Sequence, residues 1–372
     1  MKWLVCVLML IMLFVADLKG HDGKERRRAL DLGLQVGVLS PGALNMITDV
    51  PGVKVGHVTR IEGNHIRTGV TAILPHGGNL FQQKVPAAIY CFNSFGKMAG
   101  SLQVEELGNI ETPIVLTNTL NVGTAVDAVV GYMLRLEGNE GVRSVNALVG
   151  ETNDGFLNDI RGQHVTAGDV IGAIESAKAG VVKEGSVGAG TGTTSFGWKS
   201  GIGTASRMTV PIDGHVYTVG VLVQSNFGRI LYIHGKPFVR EPQEEKFEGE
   251  EDGSAMIIIA TDAPLSDRNL KRMAKRSFMG MGRTTNYMSN SSGDFAIAFS
   301  TAYTFPHGGQ GHIKNMPALV DNHAMNTLFQ AVEEATQEAI YNALFMAVGM
   351  TGNQGNRVEA IPLHMVKEFL HQ

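Results

Sequence analysis

The strongest constraint in this chain is a sudden change of character at Gly253. From Lys236 to Gly253 it reads KPFVREPQEEKFEGEEDG, with seven carboxylates and almost no apolar periodicity. Such a stretch has too little apolar surface to offset the entropy of ordering, and it reads as an exposed, mobile linker. Directly behind it comes SAMIIIA, Ser254 to Ala260, a strongly apolar β run that belongs in a core. A core strand therefore starts abruptly at Ser254, fed by a segment of opposite character. Material for that core is ample, since 44% of the 372 residues are hydrophobic and 18% charged. The length permits two domains, and a single layered α/β domain of this size is also ordinary. A formal net charge of −4 is nearly balanced and points to neither nucleic acid nor an anionic membrane surface.

Residues 1–20 read as a separate unit. Lys2 precedes the apolar run WLVCVLMLIMLFVA, Trp3 to Ala16, and the charged stretch KERRR follows from Lys24 to Arg28. The run is short for a membrane span, and its flanks suit a signal peptide. Export to the periplasm or the extracellular space is expected, with cleavage shortly after Ala16 or Gly20. Signal removal would take Cys6 and leave Cys91 alone, so no intramolecular disulfide is expected. Cys91, inside the apolar run AAIYCFN, reads as a core thiol.

Further along, ITDVPGVKVG (Ile47–Gly56) is a turn running into a strand, and VTAIL (Val70–Leu74) is a second strand. Ala87–Phe92, Ile114–Asn118 and Val216–Val223 are further short apolar runs. Helical spacing appears over Ala125–Leu136, and over Val170–Ala179 with Asp169 as its natural N-cap. Ser266 can cap a helix carrying Leu270, Met273, Ala274 and Ser277, Asp294–Ala302 alternates as a strand, and a long helical pattern runs from Ala318 to about Val348. Gly185–Gly203 is dense in glycine but fails as a phosphate loop, because Lys199 has no glycine before it and no GxGxxG register opens a helix. Tight turns are its expected purpose.

The Gly253–Ser254 bond carries the chemical signal. A hydroxyl is a weak nucleophile until a base takes its proton, and an N-terminal serine supplies one in its own α-amine, whose pKa of about 8 suits neutral solution. Exposing such an amine requires cleavage before the serine, at the head of a core strand and behind a flexible segment. Glycine at the preceding position tolerates the strained backbone of an N-to-O acyl shift. Gly-Ser is also a common turn dipeptide, so the pair alone leaves both readings open.

The surroundings add to it. From Gly253 to Ala302 the chain carries ATDAPL, LKRMAKR, GMGRT, SSGD and AFSTA in order, and earlier stretches read DVPGVKVGH (Asp49–His57), GETNDGFLNDIRG (Gly150–Gly162), GSVGAGTG (Gly185–Gly192) and VQSNFG (Val223–Gly228). In these motifs the chain resembles the L-aminopeptidase/D-esterase and β-peptidyl aminopeptidase family of self-processing N-terminal serine hydrolases. The resemblance implies a four-layer αββα sandwich, laid out like N-terminal nucleophile hydrolases with different connectivity. It implies one hydrolase domain cut after Gly253, which with the signal peptide read at 1–20 gives an α chain (21–253) and a β chain (254–372). Assembly as homotetramers without metal or cofactor is implied as well.

By position, Ser254 matches the nucleophile, Ser292 and Asp294 its supporting hydroxyl and carboxylate, and Asn226 the amide of the oxyanion hole. Glu151 matches the acidic residue that receives the substrate's free amine, and Asn153 stands where some relatives carry a pocket-lining aromatic. Asp294 is also shorter than the Glu of some relatives, and both departures bear on substrate choice.

Each of these residues has an ordinary alternative: Asn226 as a turn residue, Ser292 and Asp294 as strand caps, Glu151 and Asp154 as solvated loop carboxylates. Arg283 reads as a structural tie between carboxylates. His307 and His312 lack metal-ligand spacing, and no GxSxG elbow is present. The sequon Asn290–Ser292 overlaps the expected site and reads as coincidence. The leading expectation is an aminopeptidase or amidase for small peptides, amides or esters with a free amine. An acyltransferase resembling the ornithine acetyltransferases, which use Thr, and an inactive binding protein on the same scaffold are the alternatives.

Overall fold

The computed structural model describes residues 25–239, 253–285, 289–309 and 316–372. The expected signal segment and most of the acidic linker lie outside them. In chain order the main elements are β1 (Lys54–Glu62), β2 (Ile66–Leu74), β3 (Gln83–Ser94), α1 (Ser101–Leu107), β4 (Ile114–Asn118), α2 (Val122–Leu134), β5 (Leu148–Thr152) and α3 (Ala167–Glu175). There follow β6 (Ile202–Met208), β7 (Thr218–Asn226), β8 (Ser254–Thr261), α4 (Asp267–Gly282), β9 (Gly293–Ser300), α5 (Met325–Phe345) and α6 (Leu363–Leu370).

Two sheets form. The smaller runs β1–β2–β4–β5; the larger runs β3–β9–β8–β7–β6, with short strands on the β3 side. In the larger sheet β8 and β9 are parallel and the other long neighbours antiparallel. Alternation along the strands explains the layering. In β9, Phe295, Ile297 and Phe299 join Leu116 and Leu148 of the small sheet in a core between the sheets. Ala296 and Ala298 face the other way, into a core shared with Met273 and Phe278 of α4 and Leu328 and Leu344 of α5. A third core packs Val70, Val115 and Val149 against Val129 of α2 and Val170 of α3. The order is helix, sheet, sheet, helix: the expected four-layer sandwich.

Two polar tethers fix the layers. Gln224 of β7 crosses between the sheets, its Nε2 amide sharing two N–H donors among the Thr117 carbonyl (3.1 Å), Thr152 Oγ1 (2.8 Å) and the Ala189 carbonyl (2.9 Å). Arg207 of β6, buried beneath α5, donates to Glu338 at 2.6 Å and Glu334 at 3.3 Å.

Three of the local expectations that shift have a plain physical reason. Helix α3 begins at Ala167 and not at Val170, because Thr166 caps it and Asp169 sits three residues on, closing a reciprocal capping box. The long C-terminal helix starts at Met325, after a single turn at Asn322–Ala324 capped by Asp321. Cys91 is exposed rather than a core thiol: β3 is twelve residues long and runs past the layers that cover it, so burial ends at Ile89.

Candidate active site

Four strand ends converge. Ser254, the first residue of β8, pairs across the antiparallel ladder with Asn226, the last of β7. On its other side it pairs with Gly293, the first of β9. From the small sheet, the end of β5 brings Glu151 and then Asn153 over the same point. Gln224, two residues before Asn226, holds this junction by gripping Thr152.

Ser254 is buried at 5% exposure. Its Oγ receives the Asn153 backbone N–H at 3.4 Å and the Asn226 Nδ2 amide at 3.5 Å. Asn226 is itself oriented, since its Oδ1 accepts the Thr194 backbone N–H at 3.0 Å. The carbonyl oxygen of Gly253 accepts the Gly293 backbone N–H at 3.0 Å. Beside it stands Ser292, where a methyl on Gly253 would lie 3.2 Å from Ser292 Oγ. The bond between Gly253 and Ser254 is thus flanked by the serine hydroxyl, an amide side chain and two backbone donors.

The carboxylates are not the solvated loop groups their residue type suggests. Glu151 is buried, accepting the Lys97 backbone N–H at 3.0 Å and the Thr119 hydroxyl. Gly96 has no side chain to obstruct this approach; a Cβ there would stand 3.1 Å from Glu151 Oε1. Asp294 has no exposed surface, and neither carboxyl oxygen makes a well-formed hydrogen bond among the described residues. Burial pushes it up to about 6, against the pull of the nearby Ser292 hydroxyl and Ala255 amide. Asp154, also buried, is pushed up to about 7 by desolvation and holds Asn158 Nδ2 at 2.9 Å. Asn153 turns its side chain back onto its own loop, Oδ1 accepting the Gly155 N–H at 2.9 Å; its main chain is what meets Ser254.

Two kinds of residue were missed from the sequence. The Gly293 amide acts through the backbone, which leaves no side-chain signature; Asn153, expected for its side chain, meets Ser254 through its main-chain N–H instead. The holders of Glu151, Lys97 and Thr119, come from loops distant in sequence. Arg283 ties to Glu333 at 3.0 Å, as its structural reading implies.

Among the described residues, His65, Asp159 and His164 could offer a metal three donor atoms within 4.8 Å of one another. They lie at the β1–β2 turn and around Ile160–Gly162, not on the converging strand ends. A His164–Asp159 hydrogen bond of 3.0 Å already partners two of them. A cavity of about 750 Å³ lined by Val36, Tyr232, His234, Arg283 and Gln337 contains none of the residues around Ser254.

Comparison with known proteins bears on this geometry. Residues 45–358 match the model of Peptidase family S58. The chain is 40% identical over 371 residues to beta-peptidyl aminopeptidase BapA of Sphingosinicella microcystinivorans, covering 93% of this chain and 92% of the relative. The PH0078 protein of Pyrococcus horikoshii OT3 shares its fold at TM-score 0.87 and 46% identity, over 93% of this chain and 99% of that one. An L-aminopeptidase D-Ala-esterase/amidase from Ochrobactrum anthropi, described as a prototype serine aminopeptidase and a variant of the Ntn hydrolase fold, matches at TM-score 0.85 and 36% identity, over 93% of this chain and 98% of that one. Likeness of this extent covers every strand that converges on Ser254, and on it the chain belongs to peptidase family S58 as a serine aminopeptidase.

Proposed function

We propose that the chain cuts itself between Gly253 and Ser254, and that Ser254 then hydrolyses small peptides, amides or esters bearing a free amine through an acyl-enzyme. One observation carries this reading: the Gly253 carbonyl oxygen is held by the Gly293 N–H at 3.0 Å, on the bond whose other side is Ser254. A donor already in place on that oxygen stabilises the negative charge it gains under attack.

In the self-cleavage, Ser254 Oγ adds to the Gly253 carbonyl carbon and loses its proton. The C–N bond breaks, the nitrogen takes up a proton, and an ester joins Gly253 to Ser254 Oγ. Water hydrolyses that ester, leaving a Gly253 carboxylate and Ser254 with a free α-amine. In turnover the amine accepts the Ser254 hydroxyl proton as Oγ attacks the substrate carbonyl, and delivers it to the leaving amine or alcohol. Asn226 Nδ2 supports the oxyanion, Ser292 and Asp294 orient the new amine, and a second water releases the acyl group. Glu151 pairs with the substrate's ammonium, giving preference for a free amino end.

Intact-mass measurement tests the central step. Purified protein is expected to contain a C-terminal chain of 119 residues beginning at Ser254, and Ser254→Ala to remain one inactive chain. If Ser254→Ala still splits at this bond, an external protease makes the cut and the mechanism fails. We propose export on the strength of the apolar run Trp3–Ala16; N-terminal sequencing of native protein should then find a start shortly after Ala16 or Gly20, and an intact Met1 confined to the cytosol would refute it.

A further inference from the structure

The glycine-dense segment that fails as a phosphate loop encloses a lysine that no step above uses. Lys199 has no exposed surface. Its Nζ donates to the carbonyl oxygens of Gly190 (3.1 Å), Thr193 (2.9 Å) and Ser200. An ammonium has three N–H donors, and all three close on the backbone of one folded segment. Burial pulls the group down to about 7, so this environment disfavours the charge and the carbonyls offset part of that cost. The glycines allow the compactness: a Cβ on Gly190 would lie 2.5 Å from the Ile202 nitrogen, and one on Gly201 would lie 1.8 Å from the Gly185 carbonyl oxygen.

What the segment holds is Asn226. Thr194, the residue after Thr193, gives its N–H to Asn226 Oδ1 at 3.0 Å. A backbone N–H can only donate, so it fixes which end of the Asn226 amide is the oxygen. The Nδ2 end is left facing Ser254 Oγ at 3.5 Å. With that donor displaced, the amide is free to turn over and present its oxygen, which would repel an oxyanion instead of stabilising it.

We infer that Lys199 is a positioning residue for Asn226: by tying the carbonyls of Gly190, Thr193 and Ser200, it holds the Thr194 amide in place and so sets the direction of the Asn226 N–H2 group. The inference rests on the proposed oxyanion role of Asn226.

A double-mutant cycle on the full chain tests it, with kcat and KM measured on a free-amine amino-acid p-nitroanilide and normalised to the processed fraction found by intact mass. Asn226→Ala is expected to lower kcat roughly a hundredfold. Lys199→Met should lower kcat by about tenfold or more with KM changed by less than about twofold, and the double variant should be no slower than Asn226→Ala alone, because both remove one contact. Wild-type kcat in Lys199→Met, or losses that multiply in the double variant, would overturn the inference while leaving the role of Asn226 intact. Wild-type kcat in Asn226→Ala would remove the reading beneath it and the inference together. Should Lys199→Met fail to fold, Thr194→Pro decides, since it deletes the N–H that reaches Asn226 and keeps the lysine. Its kcat should fall as in Asn226→Ala with no further loss in combination, and an unchanged kcat would overturn the inference.

Discussion

Glu151 and Asp294 are both carboxylates shielded from solvent, yet their surroundings differ in kind. Glu151 has two donors on it and stays suited to receiving a cation. Glu151→Gln is expected to weaken turnover of free-amine substrates while leaving self-cleavage intact, because the Gly253–Ser254 bond presents no amine to recognise. An N-acetylated peptide should be refused by the wild type, since it would leave that buried carboxylate unpaired; equal hydrolysis of capped and free peptides would remove the role of Glu151. Asp294 has no well-formed hydrogen bond among the described residues, and its folded value of about 6 lies above the ordinary 3.8. The folded state therefore holds this proton more tightly than the unfolded one. The group's contribution is fully present below about pH 4 and is lost as pH rises through about 6. In the uncut Ser254→Ala chain, adding Asp294→Asn should raise the unfolding free energy little at pH 4 and increasingly up to about pH 7, by at most about 3 kcal/mol. A difference that shrinks with rising pH would show that Asp294 is stabilised as the anion. These side chains were legible as motif positions. That both are buried and that Glu151 is held was not, because the holders of Glu151, Lys97 and Thr119, are remote in sequence and act in part through main-chain atoms.

At the scale of elements, periodicity located most strands and helices and misplaced their ends. The start of α3 shows why: Asp169, read as the cap, is the third residue of the helix, and Thr166 before it is the cap that closes the reciprocal box. Strand β7 extends to Asn226 because its end is paired with Ser254, a long-range contact that no local pattern reveals. Close packing between elements was equally hidden. Gly203 of β6 lies against α5, where a Cβ would come within 2.0 Å of the Ala339 carbonyl oxygen and 2.4 Å of the Ala343 nitrogen. Backbone on both sides leaves nothing to swing away, so Gly203→Ala must push the helix off the sheet. Its denaturation midpoint should fall by the equivalent of about 1–3 kcal/mol or more, and an unchanged midpoint would show that α5 rests more loosely on β6 than these distances state.

For the whole molecule, the strand order of the larger sheet decides what the proposed cut can do. Strands β8 and β9, which lie after Gly253, sit between β3 on one side and β7 on the other, both of which lie before it. The two pieces are interleaved like the fingers of clasped hands, so cutting separates the chain without separating the fold. Before the cut, folding is a search by one chain. Afterwards two chains must find each other, and recovery from the unfolded state acquires a dependence on concentration that the intact chain never had. Uncut Ser254→Ala diluted from guanidinium should regain its native spectrum to the same extent at every protein concentration below the aggregation limit. The processed protein should recover less as it is diluted. The proposed self-cleavage would then work as a ratchet: the chain could test its fold reversibly only until the moment that fold became good enough to cut itself, and from then on the molecule would keep a structure it could no longer easily rebuild.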